Sequence, residues 1–142
     1  MSVTEQADAL RDTFAFLDDW EARYEHIIDL GRALPAIPET DMTEANKVRG
    51  CASQVWIVPD DGNGEGGLVR FRAQSDAILV SGLIAVVSDL FNGQPSDDIL
   101  GFDAEAFFEE IGLKDALSAQ RANGLRSMLQ RIHQLASATS SA

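Results

Sequence analysis

Residues 46–58 read Asn-Lys-Val-Arg-Gly-Cys-Ala-Ser-Gln-Val-Trp-Ile-Val and contain the single cysteine of the chain, Cys51. Two cations, Lys47 and Arg49, come just before it, and Gly50 is its immediate neighbour. A glycine at this position allows a sharp turn and leaves the sulfur uncovered by a neighbouring side chain. Nearby cations favour the thiolate, which is the nucleophilic form of cysteine. The stretch therefore predicts a thiol on a turn at the start of a strand, although a lone cysteine can also be a small core residue.

The residues that follow the cysteine predict an antiparallel hairpin. Val55 and Ile57 alternate with polar or aromatic neighbours in a first strand, and the glycine-rich run 59–67 provides a turn. Apolar and polar residues then alternate over 69–74, which is typical of a half-buried strand. The segment 47–49 is a candidate for a short third strand.

Helical patterns flank this hairpin on both sides. Ser2 and Glu5 form a capping box for a first helix that ends near Asp18-Asp19, and either aspartate can cap the second helix. The second helix carries an apolar stripe from Trp20 to Leu34 and ends before Pro35, because proline disfavours helical geometry in the residue before it. Residues 35–45 read as an irregular connection.

The second half of the chain is predicted to be helical. A helix that opens at Ser75 or Asp76 and runs to about Asn92 is apolar around most of its circumference, so we expect it to be buried. The remaining expectations are a short helix near 96–100, a helix capped by Asp103, a helical turn over 113–117, a final helix from Arg121 or Ala122, and a frayed tail at 137–142. Strands grouped in mid-chain between helices favour an α+β fold in one domain, residues 1–142.

Here the sequence resembles a known family. Gly50-Cys51-Ala52-Ser53-Gln54-Val55-Trp56 is similar to the acceptor-cysteine motif of SufE proteins and their CsdE relatives. The likeness extends from about Thr4 to Leu135, with one departure at Ala119, where the family pattern has a proline. Further matching positions are Tyr24, Ile27, Ile28, Leu30, Gly31, Leu34 and Pro35, then Ser75, Asp76 and Gly82 to Val87, and last Arg121, Gly124 and Leu125.

The resemblance implies a fold and a function. The fold would be a SufE/IscU-like α+β domain with a small antiparallel sheet of two to three strands. The function would be that of a sulfur carrier, more a sulfur-transfer partner than an enzyme, which takes persulfide sulfur from a cysteine desulfurase onto Cys51. It would stimulate that desulfurase and pass sulfur on to iron–sulfur cluster assembly. The supporting site residues would be Gly50, Ser53, Gln54, Trp56, Asp76 and Arg121.

The resemblance also implies partners. These would be a SufS- or CsdA-like desulfurase and a SufBCD-like scaffold complex, and the sequence does not choose between the two desulfurases or between a monomer and a weak homodimer. Pyridoxal phosphate would belong to the desulfurase, so no cofactor and no metal is expected on this chain. From the residues alone, a surface ion-pair residue is the better interpretation of Arg121, and similarly Asp76 is an acid favoured by a helix dipole; the resemblance raises the functional interpretation of both.

Composition excludes some function classes. The net charge of −12 disfavours nucleic acid and anionic membrane surfaces as partners. One cysteine cannot make an internal disulfide, and the first residues have neither the basic nor the apolar part of a signal peptide, so we expect a cytoplasmic protein.

Other interpretations of the same residues stay open. A one-cysteine thiol redox enzyme would need a fast-oxidising thiol and a recycling partner, and in a purely structural interaction module Cys51 would be incidental. The run 62–67 lacks the lysine of a phosphate loop and favours a hairpin turn. His26 and His133 have no second ligand four residues further along the chain, and adjacent acidic pairs such as Asp97-Asp98 do not face each other on a helix.

Overall fold

The structure is a computed structural model that describes residues 2–17, 19–50, 53–113 and 117–141. Helices and short strands alternate irregularly along the chain, with the strands confined to its middle. The helices are α1 (Val3–Phe16), α2 (Trp20–Arg32), α3 (Ile78–Phe91), α4 (Ser96–Leu100), α5 (Ala104–Glu110) and α6 (Ala119–Ser141). The strands are β1 (Val55–Pro59), β2 (Leu68–Val69), β3 (Phe71–Ser75) and β4 (Gln94–Pro95), and single 3-10 turns lie at Glu39–Asp41 and Glu65–Gly67.

The predicted hairpin is confirmed. Strands β1 and β3 pair antiparallel with Val55 opposite Ser75 and Pro59 opposite Phe71. Residues 46–48 add one bridge, between Lys47 and Trp56, to the other edge of β1. Val69, Phe71 and Ala73 are buried, as the alternation predicts.

A second small sheet departs from the prediction of a single sheet. The expected second strand is divided at Arg70, and its first part, β2, pairs antiparallel with β4. The backbone nitrogen of Gly93 donates to the carbonyl of Val69 over 2.7 Å, next to this pairing. The sequence gives no sign of β4 because two residues are too few to show a period.

Polar side chains cap the helices where the sequence indicates. The reciprocal capping box of Ser2 and Glu5 is present at α1. Asp19 accepts from the backbone nitrogen of Ala22 over 2.8 Å at the start of α2. Asp103 accepts from that of Ala106 over 3.0 Å at α5. The alternative cap for α2, Asp18, lies outside the described residues.

The start of α3 differs from the prediction. Ser75 is the last residue of β3, and the helix begins at Ile78 after an extended Ala77. Asp76 does not cap the helix, because its carboxylate is bonded to the backbone of Gln54. An aspartate before an apolar helix is ambiguous in sequence, since any backbone N–H nearby competes for its side chain.

The final helix is longer than predicted at both ends. It begins at Ala119, two residues before Arg121, whose backbone nitrogen donates to the Ser118 hydroxyl over 3.2 Å. It continues to Ser141, so the residues from Ser137 onward that we expected to fray are helical. The expected turn over 113–117 falls largely outside the described residues.

The hydrophobic core lies around α3, which is buried along most of its length as predicted. Helices α1, α2 and α6 and strand β3 pack around it. The largest fully buried side chains of the core are Phe14, Phe71, Phe91, Phe108, Ile27, Ile57, Leu83, Ile84, Leu90, Ile99, Leu113 and Met128. Within the described residues, no helix has the length and apolar character needed to cross a membrane.

Helices α2 and α3 approach each other at two glycines. A Cβ atom placed on Gly31 would lie 2.5 Å from the backbone nitrogen of Gly82, and one placed on Gly82 would collide with the backbone carbonyl of Ile27. Because the opposing atoms are backbone, no rotation of a side chain relieves these collisions. The two helix backbones therefore lie closer than any residue with a side chain would permit.

We expect Gly82→Ala to destabilise the fold. The added methyl group forces α2 and α3 apart at a cost of about 1 to 3 kcal/mol, which outweighs the gain of about 1 kcal/mol in helix propensity when the core cannot shift. Urea unfolding measures the free energy. Ser88→Ala, on the same helix and half-buried, is the control, and equal stability of the two variants would contradict this account of the packing.

Candidate functional site

The cysteine stretch connects the edge segment 46–48 to strand β1. Cys51 and Ala52 lie outside the described residues, whereas Gly50 and Ser53 on either side are described. The expectation that Cys51 is the chemically active residue therefore rests on the sequence.

The amino-terminal flank is Gly50, which rests against α6. Its φ of +89° lies in the region that favours glycine, as the predicted sharp turn requires. A Cβ atom on Gly50 would lie 2.5 Å from the Ser127 hydroxyl oxygen but 3.6 Å from the Ser127 Cβ. The glycine thus serves two purposes, the turn and the close approach to α6.

The carboxyl-terminal flank is bonded to the residues that lead into α3. The backbone nitrogen of Gln54 donates to Asp76 Oδ1 over 3.0 Å. The backbone nitrogen of Asp76 donates in return to the carbonyl of Gln54 over 3.3 Å. This reciprocal pair extends the β1–β3 ladder by one step and fixes where the cysteine stretch joins the sheet. Asp76 and Gln54, both named from the sequence, are brought together.

Ser53 and Arg121 line one cavity of about 280 Å³. The cavity lies between the cysteine stretch, the first turns of α3 and the first turns of α6. Its wall combines apolar side chains with the exposed Arg121, for which no ion pair is present among the residues that the structure describes. The other lining residues are Val80, Leu83, Ser118, Gln120, Gly124, Leu125 and Met128.

Trp56 lies one step further from the cysteine. It is half-buried in β1, opposite Gln74 on one side and bridged to Lys47 on the other. It supports the edge segment 46–48, which carries Lys47 and leads to Arg49, and it does not line the cavity of Ser53 and Arg121. Of the predicted site residues, Gly50, Ser53, Gln54, Asp76 and Arg121 thus flank the cysteine stretch or line this cavity.

Ser127 is a neighbour of the site that the sequence does not reveal. It is a half-buried serine on the long helix α6, 77 residues after Gly50 in the sequence. Serines on helices are common and carry no signal of a distant contact. The spacing of the apolar residues on α6 predicts which face of the helix is buried. It is the only sequence signal that could have indicated which α6 residues lie near the site.

The other candidates from the sequence do not form a second site. His26 on α2 interacts with Asp89 on α3, where burial raises the pKa of the Asp89 carboxyl and His26 partly offsets that effect. His133 lines a different groove, on α6. In the part of the chain that is described, no three His, Cys, Asp or Glu side chains come close enough together to bind a metal ion. The glycine-rich run forms the hairpin turn.

Comparison with known proteins adds the family relation. A family model described as "SufE: Fe-S metabolism associated domain" matches residues 8–136. An uncharacterized SufE-like protein of Rhizobium meliloti (strain 1021) is 51% identical over 126 residues, which are 88% of this chain and 90% of the relative. Another, of Rhizobium etli, is 48% identical over 128 residues, or 89% of this chain and 86% of the relative.

A solved structure has the same fold. The solution structure of a hypothetical protein from Thermus thermophilus matches with a TM-score of 0.78 over 96% of this chain and 97% of that chain. Its sequence is only 19% identical, so this likeness concerns the fold alone and supports the α+β class predicted above.

We expect Asp76→Ala to increase the rate at which Cys51 reacts with iodoacetamide severalfold, because Gln54 on the carboxyl-terminal flank then loses its hydrogen bond to the Asp76 carboxylate. Asp76→Asn removes the same charge but keeps an oxygen acceptor, so its rate is expected to stay near that of the wild type. Asp98→Ala, an exposed acid on α4, controls for net charge. Equal acceleration in Asp76→Ala and Asp76→Asn would show that charge, not the hydrogen bond, matters.

We expect Gly50→Ala to destabilise the protein by about 1 to 2 kcal/mol from its positive φ alone, with an added cost from the Ser127 hydroxyl. In a Ser127→Ala background the nearest atom of residue 127 would be the Cβ at 3.6 Å, so only the backbone cost should remain. A double-mutant cycle of unfolding free energies measures the difference. The same penalty in both backgrounds would show that the loop does not rest on Ser127.

Proposed function

Because the chain belongs to the SufE family, associated with Fe–S metabolism, we propose that it accepts sulfur on Cys51 from a cysteine desulfurase. The observation that carries this proposal is the arrangement of the residues on either side of the cysteine. Gly50 rests on α6 and Gln54 is bonded to Asp76. The described residues on both sides of the thiol thus contact other elements, and Ser53, one of them, lines a cavity together with Arg121.

The proposed reaction is a displacement at sulfur. The Cys51 thiolate attacks the terminal sulfur of a persulfide on the desulfurase cysteine. A new sulfur–sulfur bond forms on Cys51, the sulfur–sulfur bond of the donor breaks, and the donor cysteine leaves as a thiolate. One thiolate is consumed and one is released, so no external oxidant or reductant is needed. Removal of sulfur from the donor cysteine frees the desulfurase for another turnover.

Charge near the cysteine supports this chemistry. Lys47 and Arg49 precede Cys51, and Arg121 lines the cavity next to Ser53. Cations near a cysteine favour the thiolate and also stabilise the negative charge that a persulfide carries. The apolar part of the same cavity, Val80 and Leu83 included, suits a polarisable sulfur and restricts its loss to small thiols.

The donor and the acceptor of the sulfur would be two other proteins. The desulfurase would be of the SufS or CsdA type and would keep its own pyridoxal phosphate, and this chain would act without a cofactor. A SufBCD-like scaffold would receive the sulfur. The lone thiol fits the reducing cytoplasm, where cysteines stay reduced between transfers.

Intact mass spectrometry tests the proposal directly. After incubation with an active cysteine desulfurase and L-cysteine, we expect a mass gain of one sulfur atom that a reductant reverses. Because the chain has one cysteine, such a gain assigns the sulfur to Cys51, and Cys51→Ser is the matched control. No gain, together with an unchanged desulfurase rate, would contradict the proposal. Peroxide consumption without sulfur gain would favour the redox enzyme instead.

A further inference from the structure

A second groove lies beside the residues that lead to Gly50, and its volume is about 410 Å³. One wall is the segment that leads to Gly50, and the other is the middle of α6. We call it the basic groove. Its principal lining residues are Glu44, Lys47, Arg49, Ser127, Gln130 and Arg131.

The basic groove concentrates positive charge on an acidic protein. The chain has 11 lysines and arginines against 23 aspartates and glutamates. Three of those cations, Lys47, Arg49 and Arg131, line this one groove with a single carboxylate, Glu44. An acidic surface is repelled by most of this protein, and the groove is where it would be attracted.

The cations of the groove have spare bonding capacity. Among the described residues, neither Lys47 nor Arg131 forms an ion pair. The Nε atom of Arg131 is covered but lacks a described hydrogen-bond partner, and one terminal nitrogen reaches only the Ala45 carbonyl, at 3.5 Å. Arg49 pairs with Glu44 at 3.6 Å, with side chains 79% and 76% exposed. A pair this open contributes little and exchanges readily.

The position of the groove links it to the cysteine. Lys47 and Arg49 directly precede Gly50, and Ser127 lines the groove while lying against Gly50. A molecule seated in the groove would therefore contact the amino-terminal flank of the segment that carries Cys51. The groove is also separate from the cavity of Ser53 and Arg121, because Ser127 and Arg131 line only the former.

We propose that the basic groove docks an acidic segment of the desulfurase that donates the sulfur. This inference rests on the proposed function, since it names the surface that the donor grips. A protein segment is favoured over nucleic acid because three cations on a chain of net charge −12 cannot offset the repulsion of a polyphosphate backbone. Carboxylates on the partner segment would form charge-assisted hydrogen bonds with Arg49, whose ion pair to Glu44 is exposed, and with Lys47.

The test compares two double variants that change the net charge equally. The groove variant, Lys47→Glu/Arg131→Glu, reverses the charge of two cations in the groove. The control variant, Arg32→Glu/Arg126→Glu, reverses two exposed cations on α2 and α6. Their described ion pairs, with Asp29 and Glu105, lie outside the groove. Affinity for a purified desulfurase that loads the wild type is measured at low and high salt. We expect the groove variant to bind at least about tenfold more weakly at low salt and the control less than about threefold more weakly.

Salt and folding controls sharpen the comparison. The difference between groove variant and wild type should shrink toward about 0.5 M salt, because screening removes the attraction. The milder variant Lys47→Gln/Arg131→Gln removes the two charges without reversing them, so it should weaken binding to an intermediate degree. It replaces the charge-reversed variant in the comparison if that variant does not fold. Equal weakening in groove and control variants, or none in either, would overturn the inference.

Sulfur transfer separates this inference from the proposed function. At saturating desulfurase the single variant Arg131→Glu, which changes the groove but keeps Cys51 and the two cations that precede it, should still gain one sulfur. If the wild type is loaded and the groove variant binds as tightly, only the docking inference falls. If the wild type gains no sulfur, the proposed function fails and the inference fails with it. Binding of inorganic sulfate to the groove without any change in desulfurase affinity would mark a free-anion site and also overturn the docking inference.

Discussion

The close approach of α2 and α3 at Gly31 and Gly82 is the constraint on which the arrangement of the site depends. Backbone meets backbone there, so the distance between the helices is fixed by atoms that cannot rotate away. Helix α3 lies at the centre of the core, and its packing against α2 determines where the first two turns of α3 lie. Those turns contribute Val80 and Leu83 to the wall of the cavity beside Ser53.

The carboxyl-terminal flank of the cysteine stretch depends on the pairing of β1 with β3. Asp76 follows the last residue of β3, so the antiparallel register places it opposite Gln54 and brings its carboxylate to the Gln54 backbone. At the other flank Gly50 needs α6, since Ser127 is its neighbour. Two elements from distant parts of the chain thus contact the flanks of a segment that has no large apolar residue between Val48 and Val55.

Charge is distributed around the cysteine in an uneven way. Most of the surface is acidic, whereas Lys47, Arg49, Arg131 and Arg121 lie in the two hollows beside the cysteine stretch. Two of these cations are contributed by the segment next to the cysteine and two by α6. Local sequence thus accounts for the two cations next to the cysteine, and tertiary packing adds the two from α6 to the positive electrostatic potential.

The sequence by itself determined the class of the fold, the hairpin, the buried helix and which residue is the candidate nucleophile. These follow from local signals: alternation in β1 and β3, an apolar circumference in α3, polar caps at Ser2, at Asp18 or Asp19 and at Asp103, and one cysteine beside a glycine. Only the tertiary structure decided that Asp76 bonds to Gln54 instead of capping α3, that β2 finds β4, and that Ser127 and Arg131 lie beside the cysteine stretch. Such contacts join residues far apart in the chain, and a side chain's choice between a local and a distant partner depends on distances that only packing sets.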